Sequence, residues 1–308
     1  MKTLLIAGMD TVVGINLAAH LAERFQVVGV CLRESAAVPG CHSGLCLSQE
    51  ENDVREWVES IRPDHVVYCG PAAHSTWDDA AIESPDVDGV DVAGRWAAAA
   101  HEYGARLTVV STDGVFTGPW VYHEEDSTCH CSSREARSAR RIEKTAAVRC
   151  PDALIVRTNA FGWSHTDGWI ERTLAALEDG TAGPFDFLRH ATPILATDFA
   201  EVLSGCWEAN LGGIYHVSGA ERTNPNQFVH RLADEFGLPA PRPVDGNQTL
   251  ERPRGFGCGE SALHTTKIRK ALGIAMPTLG DALQRLREQK RNGAADGLKA
   301  PLALEKVA

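Results

Sequence analysis

A short apolar run that never alternates with polar residues opens the chain: Lys2-Thr3-Leu4-Leu5-Ile6-Ala7, closed by Gly8. After Gly14 a helical pattern begins, Ile15 to Phe25, with Leu17, Ala18 and Leu21 on one face. A strand apolar on both faces must be covered on both sides, which fits a parallel sheet sandwiched between helices. The alternation continues with strands at 26–32, 65–68 and 106–111 and helices at 52–61 and 90–103. Past a polar loop, 112–131, the spacing predicts a helix over 132–150 and a strand at 153–157. The economical solution is α/β, a doubly wound, right-handed parallel sheet of the Rossmann-like kind.

Beyond Phe161 the pattern loosens. Helices are expected at 168–177, 197–209, 224–236, 265–272 and 279–288, with strand-like segments at 193–195 and 213–218. This divides the chain into a dinucleotide-binding domain, 1–160, and a smaller substrate lobe, 161–288, interleaved with the last strands of the sheet. The stretch 289–308 has no apolar period and is expected to lack structure. With 41 acidic against 30 basic residues the net charge is -11, which argues against a broad grip on nucleic acid or a membrane surface. Nine scattered cysteines and a first apolar run too short for a signal core or a membrane span point to a reduced, cytoplasmic protein.

The turn after the first strand is the first candidate site. Backbone N–H groups and a helix dipole converge there, which suits a pyrophosphate. Gly8 and Gly14 match the outer glycines of Gly-x-x-Gly-x-x-Gly, while Thr11 occupies the middle position and Val12 and Val13 complete the turn. A Cβ at Thr11 is expected to narrow the diphosphate's approach. At the end of the second strand Cys31-Leu32-Arg33 offers a cation where NAD-binding folds place an acid, favouring NADP, with NAD as the alternative.

Several further segments stand in a telling order. They are Arg62-Pro63-Asp64-His65-Val66-Val67-Tyr68, Pro71-Ala72-Ala73-His74-Ser75-Thr76-Trp77-Asp78, Ser111-Thr112-Asp113-Gly114-Val115-Phe116-Thr117-Gly118, Leu154-Ile155-Val156-Arg157-Thr158, Gly213-Ile214-Tyr215-His216-Val217, Arg252-Pro253 and Lys267 to Ile274 with Met276-Pro277. Along almost its whole length the chain resembles the dTDP-4-dehydrorhamnose reductase branch of the extended short-chain dehydrogenases/reductases. The resemblance implies hydride transfer from NADPH to a keto-sugar carried on a nucleotide. It also implies that Ala72 and Ala73 lie along the cofactor and that Thr112 belongs to the proton-relay set.

The same resemblance exposes a loss. The family's proton donor is a Tyr followed four residues later by a Lys on one helix face, where the ammonium lowers the phenol's pKa. The chain has 4 Tyr, at 68, 103, 122 and 215, and none has a Lys four residues on. Between the landmarks Asp126 and Glu143 the resemblance puts the Tyr position within Arg134 to Ala136, with Glu135 at its centre, and the Lys position within Ser138 to Arg140, with Ala139 at its centre; no Tyr stands anywhere between Tyr122 and Tyr215. The family's Tyr and Thr in the loop after the third strand are His74 and Ser75, and an acid after the second strand is Cys46. Glu135 and His74 are the candidate substitute acids. Cys129-His130-Cys131 lacks paired zinc-ligand spacing, so no metal is expected. Arg134, Arg137, Arg140 and Arg141 form a basic helix face, and Asp113 and Asp78 read as loop-ordering acceptors.

Two functions remain open. One is an NADP-dependent, nucleotide-sugar reductase-like oxidoreductase with altered catalysis. The other is a non-catalytic dinucleotide- or nucleotide-sugar-binding regulatory subunit, with a homodimer or a partner protein as its assembly.

Overall fold

The computed structural model describes residues 1–32, 36–45, 49–78, 89–243 and 255–299. Seven parallel strands form the central sheet: β1 (Thr3–Ala7), β2 (Gln26–Cys31), β3 (His42–Leu45), β4 (His65–Tyr68), β5 (Arg106–Thr112), β6 (Leu154–Thr158) and β9 (Gly213–His216), in the order β3-β2-β1-β4-β5-β6-β9. Two further strands, β7 (Ala160–Phe161) and β8 (Ile194–Leu195), pair in a small parallel sheet of their own. The continuous apolar runs of β1, β4, β5 and β6 thus become buried central strands, as the sequence predicts.

Alternation within each strand sends side chains to two separate cores. Leu4, Ile6 and Val67 join α1 (Val12–Leu21), α6 (Ala196–Glu208), α7 (Pro225–Phe236) and α9 (Leu279–Arg291) on one face of the sheet. Leu5, Ala7, Val66 and Tyr68 join α2 (Glu51–Ile61), α3 (Gly89–Glu102) and α4 (Arg134–Arg149) on the other. The remaining helices are α5 (Trp169–Glu178), α8 (Thr266–Leu272) and α10 (Ala294–Gly297).

Two differences from the sequence reading have physical causes. Strand β3, His-Ser-Gly-Leu, was not expected because it has one aliphatic residue and sits at the sheet edge. The stretch from 289 is not structureless: α9 continues to Arg291, and Ala295 and Leu298 of the following turn are buried against the core. Residues 300–308 lie outside the described residues. Among the described residues no helix is long and apolar enough to cross a membrane, and the eight described cysteines form no disulfide.

The first turn depends on close backbone contact. Gly8 has φ +90°, and a Cβ on it would lie 2.0 Å from the Cys69 carbonyl oxygen. A Cβ on Gly14 would lie 2.1 Å from the Gly8 carbonyl oxygen and 2.8 Å from the Met9 Cα. Both obstacles are backbone, so α1 would have to move off β1. Gly14→Ala is therefore expected to cost about 1–3 kcal/mol, read as a lower urea midpoint at unchanged slope.

Candidate functional site

The strands end in a crevice at the point where chain order reverses, between β1 and β4, which is where doubly wound sheets take their ligands. A cavity of about 170 Å³ lies there, lined among others by Asp10, Thr11, Leu32, Tyr68, Gly70 and Gly89. Thr11 is the N-cap of α1: its hydroxyl donates to the Gly8 carbonyl at 2.8 Å and accepts the Gly14 N–H at 2.9 Å. The side chain that was expected to obstruct a diphosphate is thus folded back into the turn. Val12 and Val13 open the helix, so their N–H groups belong to its electropositive end, while the Val13 side chain is in the core. Asn16 braces the turn by donating to the carbonyls of Val12 (2.8 Å) and Trp163 (2.7 Å). Asp10 accepts the Leu32 N–H at 2.9 Å and ties the turn to the end of β2. Burial raises the Cys69 thiol pKa far above its ordinary value and keeps it protonated beside Thr11. Arg33 and Cys46 lie outside the described residues.

At the end of β5 the site has a different character. Thr112 is fully buried and caps a short 3-10 turn, Asp113–Val115, by accepting the Gly114 N–H at 3.0 Å. Its hydroxyl also donates to Asp113, at 3.3 Å. Asp113 accepts three more neutral donors: Thr76 (3.3 Å), Asn159 (2.9 Å) and Ser261 (3.1 Å). Ser75 extends the network by donating to the Asn159 side-chain oxygen at 2.6 Å. Burial raises the Asp113 pKa from 3.8 to about 6, against the pull of those four hydrogen bonds. Behind it Glu143 and Arg157 form a buried two-pronged ion pair (2.9 and 2.8 Å), with the Ser111 hydroxyl 2.6 Å from the carboxylate. The acceptor role expected of Asp113 is the one the geometry gives it, and Asp78 accepts from Arg172 at 2.8 Å.

Helix α4 carries the positions of the missing pair. Glu135 is half-buried in the first turn and makes no hydrogen bond or ion pair among the described residues. Ala139 is 3% exposed and packs with Ala72, Val115, Phe116 and Leu263. At the position that the resemblance centres on Ala139, the side chain thus belongs to an apolar cluster. Ala73 lies in the main core. His74 faces the ring of Phe256, at 6.2 Å between centroids.

Phe256 is the residue that sequence reasoning missed. Its ring packs on Cys131 and Ala136, and a Cβ on Gly114 would lie 2.5 Å from it. Where the resembling family carries a Tyr at this position, here glycine leaves room for an aromatic ring arriving from a distant loop. The available signal was Gly255-Phe256-Gly257-Cys258-Gly259, one aromatic in a glycine-rich segment. Asn159 and Ser261 were missed because each is a lone polar residue whose partners are remote in sequence. Around Cys129-His130-Cys131, Phe116 stacks on His123 at 4.6 Å; no group of three His, Cys, Asp or Glu among the described residues is placed to hold a metal. Of the basic face on α4, Arg137 and Arg140 donate to the carbonyls of Ser132 and Cys131, and Arg134 and Arg141 are exposed.

Two measurements check this geometry. Asp113 holds its proton longer folded than unfolded, so its contribution to stability is present below pH 3.8 and is lost as the pH rises through about 6. The stability of the wild type relative to Asp113→Asn should fall across that window and level off above it, in urea titrations at stepped pH. Ala139→Lys should lower stability by about 1–3 kcal/mol from overpacking alone, seen as a lower melting temperature.

Comparison with known proteins agrees with the architecture. Methionine adenosyltransferase 2 subunit beta of Xenopus laevis is 23% identical over 241 residues, covering 74% of this chain and 71% of that protein. The crystal structure of dTDP-4-dehydrorhamnose reductase from Bacillus anthracis in complex with NADP superposes with a TM-score of 0.76 at 18% identity, covering 94% of this chain and 99% of that one. WbmH of Bordetella bronchiseptica in complex with NAD+ gives 0.74 at 18%, over 94% and 99%. The family described as RmlD substrate binding domain matches residues 1–292, and the chain belongs to that family.

Proposed function

We propose that this chain is a dinucleotide-binding member of its family that has given up hydride chemistry and acts in the cytoplasm as a regulatory subunit. The observation that carries the reading is Ala139, buried in an apolar cluster at the position of the family's Lys, one helical turn from Glu135 in place of the Tyr.

The two ends of the crevice differ in what they can do. At the first turn, the N–H groups of Val12 and Val13 and the positive end of α1 would hold a diphosphate, with the adenosine end directed to the cavity beside Leu32 and Gly89. NADP is the first ligand to test and NAD the second, because relatives of the same fold carry each. A bound NADPH would supply a hydride. Reduction of a keto-sugar also requires a proton at the carbonyl oxygen, and the Tyr–Lys pair with which the resembling family delivers it is missing from the sequence. The Thr112 hydroxyl is buried and engaged at the turn and with Asp113. The Asp113 carboxyl is enclosed by four donors. General acid catalysis contributes about 10² to 10⁴-fold, so losing it while keeping the scaffold leaves binding without useful turnover. The relative named as a subunit of an adenosyltransferase supports the same role, since a subunit acts through its partner.

Calorimetric titration with NADPH and NADH, paired with steady-state assays on dTDP-4-keto-sugars, tests the reading. Saturable heat with no nucleotide oxidation above the protein-free rate is expected. Steady turnover of any such sugar would overturn the proposal, as would the absence of binding by both nucleotides.

A further inference from the structure

Away from the crevice, a trough of about 710 Å³ runs between α6 and the segment joining α8 to α9. One face of α6 forms its first wall, with Asp198, Val202, Gly205 and Ala209 at helical spacing. The opposite wall is Leu272, Ile274 and Pro277, completed by Asp281 and Arg285 one turn apart on α9. The other face of α6, including Phe199, Leu203 and Cys206, is in the main core, and Val202 joins it, so the trough side of α6 presents the small surfaces of Gly205 and Ala209 between acidic side chains. Ile274, on the lip, is among the few large apolar side chains of the described residues left exposed, at 38%.

The charges around this floor have one sign. Four carboxylates line it, Asp198, Glu201, Glu208 and Asp281, against the single guanidinium of Arg285. Arg285 is already paired with Asp198 at 2.7 Å, and Glu201 with Arg24 at 3.1 Å. Glu208 and Asp281 are exposed and form no ion pair among the described residues. They leave a negative rim on an apolar floor.

We propose that this trough docks a basic amphipathic helix of a partner protein, its aliphatic side chains on the floor formed by Gly205, Ala209, Leu272 and Ile274 and its Lys or Arg side chains against Glu208 and Asp281. From Asp198 to Ala209 the wall runs roughly 16 Å, the length of about three helical turns. Helix-in-groove recognition reads anchors at this spacing, and rim charges set register and speed of encounter. The choice of a positively charged occupant follows from charge complementarity with the rim and from the chain's net charge of -11. The proposal rests on the regulatory reading for the existence of a partner, while the trough and its test stand apart from the nucleotide site.

The test is fluorescence anisotropy with a labelled amphipathic peptide of about twelve residues, Leu along one face and Lys at both ends, titrated with the full chain. Saturable binding is expected, weakened about tenfold by Glu208→Lys with Asp281→Lys and changed less than about twofold by Glu56→Lys with Glu59→Lys, an equal charge change on α2. Gly205→Leu fills the trough, since a Cβ there already lies 3.4 Å from the Leu272 side chain, and it favours the helix that carries it. It should also weaken binding about tenfold. Absence of saturable binding, an equal loss from the α2 pair, or self-association that the peptide does not displace would overturn the proposal. Nucleotide binding without turnover is unaffected by any of these results, and sugar turnover would leave the peptide result standing.

Discussion

A buried carboxylate held by four neutral donors organises the business end of this molecule. Asp113 gathers Thr76 from the loop after β4, Thr112 from the end of β5, Asn159 from the link between β6 and β7, and Ser261 from the loop before α8. Removing any one donor would leave a buried acceptor short of a partner, which costs more than the bond itself contributes. The network therefore fixes where four separate segments meet. It also fixes where they do not leave space.

What those segments enclose is apolar. Phe256 lies over Gly114 and against Ala136, and Ala139 packs beside Phe116 and Leu263. The resemblance to the reductases implies a phenol and an ammonium on this stretch of helix. The nucleotide end shows the opposite history: Gly8 and Gly14 keep the tight backbone approach, and Thr11 keeps the helix capped and open at its first N–H groups. Retention at one end of the crevice and an apolar cluster at the other are the contrast on which the proposal of binding without hydride transfer rests. The Glu143–Arg157 pair behind the site serves packing, with Arg157 lying 4.9 Å from the Phe116 ring centre.

The parallel sheet was legible because Leu4 to Ala7, Val66 to Tyr68 and Leu154 to Val156 are apolar on both faces, and only a doubly covered sheet accommodates such strands. His42 to Leu45 was not, since edge strands need little burial and this one has little to show. The end of α9 was hidden for a related reason: Gln289, Lys290 and Arg291 are the polar last turn of a helix whose apolar anchors, Leu283 and Leu286, come earlier. At the site, the missing Tyr and Lys were visible as absences at fixed spacing, and Asp113 as an acceptor in a turn motif. Phe256 and Ser261 were invisible because their partners are remote in sequence, and single-sequence periodicity says nothing about such pairs.

The central claim is that this scaffold holds a dinucleotide without delivering its hydride. Isotope transfer tests it most directly. Incubating the protein at high concentration with dTDP-4-keto-sugar and NADPH deuterated at the transferable position, then weighing the recovered sugar by mass spectrometry, reports even a single turnover. The account predicts sugar with no added deuterium. One deuterium at the reduced carbon, in an amount that grows with protein concentration, would contradict it.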